Sequence, residues 1–135
     1  AMDAGAKFIV SPGFSARVVE FARANDLPIL PGACTPTEIM MALDHGLEIV
    51  KFFLANLFGG LSGIKALAPV FPAMRFMPTG GVSAENLAEF IAYDRIAAVG
   101  GSWMVKDTLI RAGNFAAITR LTAEAAAIIK RGGGQ

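Results

Sequence analysis

The amino-acid sequence predicts an α/β fold of the (β/α)8, or TIM-barrel, type, with this chain covering roughly the last five βα units. Three observations carry that expectation: apolar runs recur at a near-constant interval, the segments between them switch to a helical period, and the chain has only 135 residues. The runs begin near positions 7, 28, 49, 75 and 96, in steps of 21, 21, 26 and 21 residues. Each step is the length of one strand plus one crossover helix. Five such units also fit an open doubly wound sheet. Length favours part of a barrel, because eight units at this spacing need about 180 residues and a complete ring commonly takes about 250.

Taken in order, positions 1–5 read as a helix end with Gly5 as its stop, as though the chain began in mid-helix. Lys7-Phe8-Ile9-Val10 is the first strand, closed by Ser11-Pro12-Gly13. A helix over 15–25 follows, with Ser15 as N-cap and Val18, Val19, Phe21 and Ala22 on one face. Pro28-Ile29-Leu30 is the second strand, ending at Pro31-Gly32. Thr35-Pro36-Thr37-Glu38 then supplies an N-cap, a proline at the first helical position and a carboxylate in the first turn. Ile39, Met40 and Leu43 form that helix's apolar stripe, and Gly46 stops it.

The third strand is Ile49-Val50-Lys51-Phe52-Phe53. The fourth, Arg75-Phe76-Met77, leads into Pro78-Thr79-Gly80-Gly81, with Ser83 capping a helix over 84–91. The fifth, Ile96-Ala97-Ala98-Val99, leads into Gly100-Gly101-Ser102. Asn114 caps a last helix whose face is Phe115, Ile118, Leu121, Ala125 and Ile128. The unbroken apolar runs predict parallel strands buried on both faces. One domain is expected over 1–131, with a disordered tail at 132–135.

Composition narrows the function. Hydrophobic residues are 54% and charged residues 17%, which excludes disorder. Twelve Lys and Arg against eleven Asp and Glu give a formal charge of +1, without the basic excess of a nucleic-acid reader. The single cysteine, Cys34, excludes an intramolecular disulfide scaffold, and with no leader at the start the expected compartment is the cytoplasm. No apolar stretch approaches the roughly 18 residues of a membrane span, so no membrane partner is expected.

Ligands of parallel α/β proteins bind at the carboxyl ends of the strands, and four features collect there. Lys51 lies in the most apolar strand beside two phenylalanines. An amine deprived of water favours its neutral form, which attacks carbonyls to give a Schiff base. The competing reading has Lys51 extending from the strand end to solvent. Pro78-Thr79-Gly80-Gly81 places two glycines ahead of a helix, where backbone amides and the helix dipole attract an anion, and Gly100-Gly101-Ser102 repeats the device one strand later. Consecutive glycine loops after the last two strands match the phosphate site of barrel enzymes. If the visible strands are the fourth to eighth, Lys51 is on the sixth. The turns Ser11-Pro12-Gly13 and Pro31-Gly32 read chiefly as rigid connections, and Thr35 as a cap.

These segments together, with Val50-Lys51-Phe52-Phe53, Pro78-Thr79-Gly80-Gly81 and Gly100-Gly101-Ser102-Trp103 in this order, resemble the C-terminal portion of the 2-keto-3-deoxy-6-phosphogluconate (KDPG) / 4-hydroxy-2-oxoglutarate (KHG) aldolases. The resemblance implies a class I aldolase barrel, a homotrimer or other homo-oligomer, that cleaves KDPG to pyruvate and glyceraldehyde 3-phosphate with no metal or other cofactor. It implies Lys51 as the Schiff-base lysine, Phe53 as a wall beside the pyruvate moiety and Thr79 next to the pyruvyl group. It places Pro12 in the pocket lining and Gly80, Gly81, Gly101 and Ser102 at the phosphate. Leu54-Ala55-Asn56 departs from the family's Pro-Ala-Glu. The family's acid/base glutamate, its carboxylate-binding arginine and a pyruvate-contacting threonine belong to strands one and three, ahead of this chain. Glu48 starts its strand on the wrong face, Glu38, Glu85, Glu89 and Glu124 read as helix-surface groups, and His45 as a helix cap. The isolated chain is therefore expected to trap pyruvate without efficient turnover. Two rival readings remain: a non-catalytic phosphosugar binder, and a fragment that self-associates through unpaired strand edges.

Overall fold

The computed structural model describes residues 1–132. Four strands alternate with helices: β1 (Ile9–Val10), α1 (Ala16–Ala24), β2 (Ile29–Leu30), α2 (Pro36–Asp44), β3 (Ile49–Phe53), α3 (Gly60–Leu67), β4 (Arg75–Thr79), α4 (Leu87–Ile91), α5 (Asp107–Arg111) and α6 (Phe115–Gly132). All pairings are parallel. Ile9 faces Ile29 and Val10 faces Leu30, while β3 and β4 pair from Ile49 opposite Arg75 to Phe53 opposite Thr79. A bridge between Gly32 and Lys51 joins the two pairs, so the strands neighbour one another in chain order.

The fifth expected strand is not a regular one. It meets β4 only at two bridges, Phe76 with Ile96 and Thr79 with Gly100. Three steps along β4 are matched by four along 96–100, so the segment carries an extra residue and breaks its ladder as a bulge does.

The expectation of strands buried on both faces is also corrected. Val50, Phe52, Phe76 and Pro78 are buried, whereas Lys51, Phe53, Met77 and Thr79, which alternate with them, are only half-buried. Strand side chains alternate in direction, so one face of the sheet packs under the helices and the other remains partly open. The covered face builds the main core, with Phe52 edge-on to Phe76 at 6.2 Å and to Phe58 at 6.3 Å, and with Ile39, Ile64, Met74 and Leu87 fully enclosed. A smaller core of Val19, Ala22 and Ile29 sits under α1.

Local chemistry explains most helix ends. Thr35 and Glu38 form a capping box on α2 with Pro36 at the first helical position, and Gly46 follows the helix at φ +68°. Asn114 accepts from the Ala117 N–H at 3.2 Å and starts α6. Gly5 closes a short 3-10 turn at φ +80°. Ser15 holds the N-cap position of α1 without a side-chain cap hydrogen bond. The fourth crossover helix starts at Leu87, not at 84: Asn86 Oδ1 takes the Ser83 N–H, its Nδ2 donates to the Gly81 carbonyl, and the Ser83 hydroxyl turns to Glu85. On α6, Ala125 is buried and Ile118, Leu121 and Ile128 are half-buried, but Phe115 is 62% exposed. Gly132, expected in a disordered tail, closes α6; the rest of that tail, 133–135, lies outside the described residues. No helix among the described residues is long and apolar enough to cross a membrane.

Candidate active site

The period of β3 decides where its lysine goes. Val50 and Phe52 point into the core, so Lys51 and Phe53 share the partly open face. Only one of the two neighbouring phenylalanines is therefore near the amine. Lys51 Nζ lies 4.1 Å from the centroid of the Phe53 ring, while Phe52 is on the opposite side of the sheet. Lys51 is half-buried, not enclosed in an apolar strand interior. Across the ladder it is opposite Met77, and Phe53 is opposite Thr79.

Thr79 ends β4. Its hydroxyl oxygen is buried and has no hydrogen-bond partner, an arrangement that invites a polar ligand because an unsatisfied buried hydroxyl costs about 1–3 kcal/mol. Gly100 bridges to Thr79 so closely that a Cβ there would lie 2.4 Å from Thr79 Cγ2. On the other flank a Cβ at Gly32 would lie 2.0 Å from the Pro12 carbonyl oxygen, which packs the end of β1 against the end of β2. Gly32, packed on Pro12, bridges to Lys51 in the middle of β3, level with Met77; Phe53 and Thr79 lie two residues further along at the strand ends, and Gly80, Gly81, Gly101 and Ser102 follow in the loops beyond β4 and the 96–100 segment.

The glycine loops differ from expectation in one respect. Neither opens directly into a long helix: Gly80-Gly81 leads into a turn before the five-residue α4, and Ser102 precedes the 3-10 turn Trp103–Val105. A helix dipole aimed at an anion is accordingly absent from both, leaving backbone amides and the Ser102 hydroxyl as the polar groups on offer. Packing also demands these glycines. Gly80 and Gly81 have φ +87° and +92°, and a Cβ on Gly81 would lie 2.6 Å from Asn56 Cβ; one on Gly101 would strike the Trp103 ring. The Leu54-Ala55-Asn56 segment lies directly against the first glycine loop, with the Ala55 and Asn56 N–H groups donating to the Thr79 and Gly80 carbonyls. The Phe53–Leu54 peptide is cis.

Two residues of the site were not singled out by sequence reasoning. Cys34, in the loop after β2, donates from Sγ to the Phe53 carbonyl at 2.9 Å. Burial pushes its thiol pKa up, the Glu38 carboxylate adds to the rise, and the Phe53 hydrogen bond opposes both. Glu38 is partly buried, not a plain surface group. Burial raises its carboxyl, but hydrogen bonds from the Cys34 N–H and from the Thr35 hydroxyl and N–H prevail and hold it below the usual carboxylate value. A periodicity reading spends Glu38 on the helix cap and has no means of showing its reach to Cys34. His45 stays at the C-terminus of α2, with Nδ1 2.8 Å from the Met41 carbonyl oxygen, Nε2 3.6 Å from Glu20 and its ring edge-on to Phe14. Among the described residues no group of three or more His, Cys, Asp or Glu is placed to hold a metal.

Parallel strands that neighbour one another in chain order, with Lys51, Phe53 and Thr79 on one partly open face, make this an α/β protein of the class whose ligands bind at the carboxyl edge of the sheet. Residues 1–121 match the KDPG and KHG aldolase family. The chain belongs to that family. Over 129 residues it is 47% identical to a 2-dehydro-3-deoxy-phosphogluconate aldolase of Treponema pallidum (strain Nichols), covering 96% of this chain and 61% of the relative. The KDPG aldolase of Zymomonas mobilis ZM4, solved with 3-phosphoglycerate, matches with a TM-score of 0.88 at 39% identity, over 95% of this chain and 60% of that one. The KDPG aldolase of Legionella pneumophila, solved with pyruvate captured at low pH as a covalent carbinolamine intermediate, matches with a TM-score of 0.86 at 35% identity, over 94% of this chain and 60% of that one. The chain thus spans about three-fifths of the length of these relatives.

Proposed function

We propose that this chain carries the imine-forming part of a class I aldolase that cleaves KDPG to pyruvate and glyceraldehyde 3-phosphate. Lys51 is the nucleophile. Its neutral amine adds to the C2 ketone, and the carbinolamine takes up one proton as its hydroxyl leaves as water, giving an iminium ion whose later hydrolysis returns that proton. That ion accepts the electron pair of the C3–C4 bond as the C4 hydroxyl loses its proton, and glyceraldehyde 3-phosphate departs. The remaining enamine is protonated at C3, and water hydrolyses the imine to release pyruvate and the amine. The observation that carries this reading is the placement of Lys51 with Phe53 and the unpartnered Thr79 hydroxyl on the one sheet face the helices leave open. The carbinolamine formed by the Legionella relative with pyruvate supports an amine nucleophile.

In this reading Phe53 walls the pyruvyl group, Thr79 Oγ1 hydrogen-bonds it, and Pro12 lines the entrance. Gly80, Gly81, Gly101 and Ser102 receive the phosphate through backbone amides and a hydroxyl, without a helix dipole. Residues 1–131 act as one domain comprising the fourth to eighth units of an eight-unit barrel. Five-eighths of a ring agrees with the share of the relatives' length that the chain covers, and the open sheet face agrees with a barrel interior. The proton transfers need a general base, worth typically 10²–10⁴-fold. Glu38 is committed to its loop and Glu48 is exposed at the foot of β3, so the base comes from the units ahead of these five. The chain alone traps pyruvate and turns KDPG over poorly. The exposed Phe8, just ahead of β1, and Val10, within it, favour a homo-oligomer, a trimer by resemblance.

The deciding experiment is incubation with pyruvate and borohydride followed by peptide mass measurement. A carboxyethyl adduct on Lys51, lost in Lys51→Met, is expected. An intact chain without adduct, or labelling on Lys7, Lys65 or Lys106 instead, overturns the assignment; phosphate binding without adduct points to a non-catalytic binder.

A further inference from the structure

We propose that Glu38 is a positioning residue for Lys51, acting through the loop after β2; the inference rests on the reading of Lys51 as the imine-forming amine. Its Oε2 accepts hydrogen bonds from the Cys34 N–H at 2.8 Å, the Thr35 N–H at 2.9 Å and the Thr35 hydroxyl at 2.8 Å. A capping box accounts for the bonds to Thr35. It does not account for the bond to Cys34, which lies one residue ahead of the cap.

That extra bond fixes a loop already stitched to the lysine. The Lys51 N–H donates to the Pro31 carbonyl at 2.8 Å, and the Ala33 N–H donates to the Lys51 carbonyl at 2.9 Å, so the loop brackets both backbone groups of Lys51. Cys34 Sγ then donates to the Phe53 carbonyl at 2.9 Å, and the Phe53 ring lies 4.1 Å from Lys51 Nζ. One carboxylate therefore holds the segment that sets the lysine's backbone on one side and its aromatic wall on the other. Bonds to an ionised acceptor are roughly twice as strong as neutral ones, which suits Glu38 as the anchor. It touches no substrate and acts only by where it holds Lys51 and Phe53.

The test compares the limiting rate of pyruvate–borohydride labelling and the half-saturating pyruvate concentration in the full chain, its Glu38→Gln, Thr35→Ala and Cys34→Ala variants, and Cys34→Ser. Far-UV circular dichroism checks folding in each. Thr35→Ala damages the helix cap yet leaves Glu38 joined to Cys34, so it reports the purely structural role. The expected result is a near-native labelling rate in Thr35→Ala and a loss of about tenfold in Glu38→Gln, within the hundredfold that a 1 Å misplacement can cost, at unchanged half-saturation. Cys34→Ala, which breaks only the last link, falls likewise, and Cys34→Ser recovers through its hydroxyl donor. If Glu38→Gln does not fold, the Cys34 pair decides alone. Native rates in Glu38→Gln or Cys34→Ala, or equal losses in Glu38→Gln and Thr35→Ala, overturn the proposal. No Lys51 adduct in the unaltered chain overturns the nucleophile assignment and this inference with it, an outcome distinct from the others because it needs no variant.

Discussion

Adding one methyl group at Gly100 tests whether the end of β4 is as tightly built as the geometry says. Gly100 does not occupy the left-handed region, so Gly100→Ala brings no backbone penalty and its effect is purely one of space. The new Cβ would lie 2.4 Å from Thr79 Cγ2, against about 3.5–4.0 Å for an ordinary carbon contact. Something must therefore move by about 1 Å. Thr79 is flanked on both sides, by Phe53 of β3 and by Gly100, so the strain falls on the strand end that carries the unpartnered hydroxyl. Overpacking of this kind costs about 1–3 kcal/mol, and a shift of this size in a positioning group lowers a rate by up to about a hundredfold. Gly13→Ala is the control: its Cβ would meet nothing within 4 Å and its φ is not positive. Urea unfolding of both variants and the parent, followed by pyruvate–borohydride labelling, reads the two effects separately. Gly100→Ala is expected to lose stability and labelling together while Gly13→Ala keeps both. A Gly100→Ala chain as stable and as readily labelled as Gly13→Ala would refute the argument.

Phe52→Ala removes a fully enclosed ring that contacts Phe58 and Phe76, and should cost about 3–5 kcal/mol in denaturant unfolding; a loss below 1 kcal/mol would mean the core refills. The Cys34 thiol, pushed up by burial and by Glu38, should react with iodoacetamide at neutral pH more slowly in the native chain than in urea, as intact mass would record; faster native alkylation would contradict that environment. Because the Glu38 carboxyl is held below its usual value in the folded chain, the unfolded chain binds the proton first as pH falls. The stabilisation is thus complete above about pH 4.3 and disappears as pH drops through the lower folded value. Urea midpoints of the parent chain should fall more than those of Glu38→Gln across that acid window, and parallel midpoints would show that the carboxylate is not held in this way.

What the sequence made legible follows from which signals are local. Thr35-Pro36-Thr37-Glu38 and Asn114 contain their whole hydrogen-bonding logic within four residues, and both caps form as read. The crossover helix expected between β3 and β4 has no bounds legible in the sequence because Gly59, Gly60 and Gly63 dilute its apolar period; the start of α3 depends on Gly59 at φ +85° and on Ile64 reaching the core, which is a tertiary fact. Ser83 was the wrong cap for a similar reason. Its neighbour Asn86 satisfies both the Ser83 N–H and the Gly81 carbonyl, a two-sided bond that the serine cannot make. The fifth strand reads as an apolar run, but the extra residue between Ile96 and Gly100 appears only in its register against β4.

The lysine shows where linear and spatial neighbourhoods part. A run such as Ile49-Val50-Lys51-Phe52-Phe53 looks uniformly apolar along the chain, and an amine inside it looks desolvated on every side. Period two divides the same five residues between opposite faces, so that Val50 and Phe52, one residue away, are the side chains Lys51 cannot touch. The residue two positions on, Phe53, is the one whose ring it meets. For the imine-forming role proposed for Lys51, an amine half-open to solvent and backed by a single ring is the more serviceable arrangement, because a carbonyl compound would then reach the nitrogen from the side away from that ring. Of the two rings that the linear sequence sets beside Lys51, the fold thus leaves only Phe53 as its neighbour, and it does so on the sheet face that stays partly open.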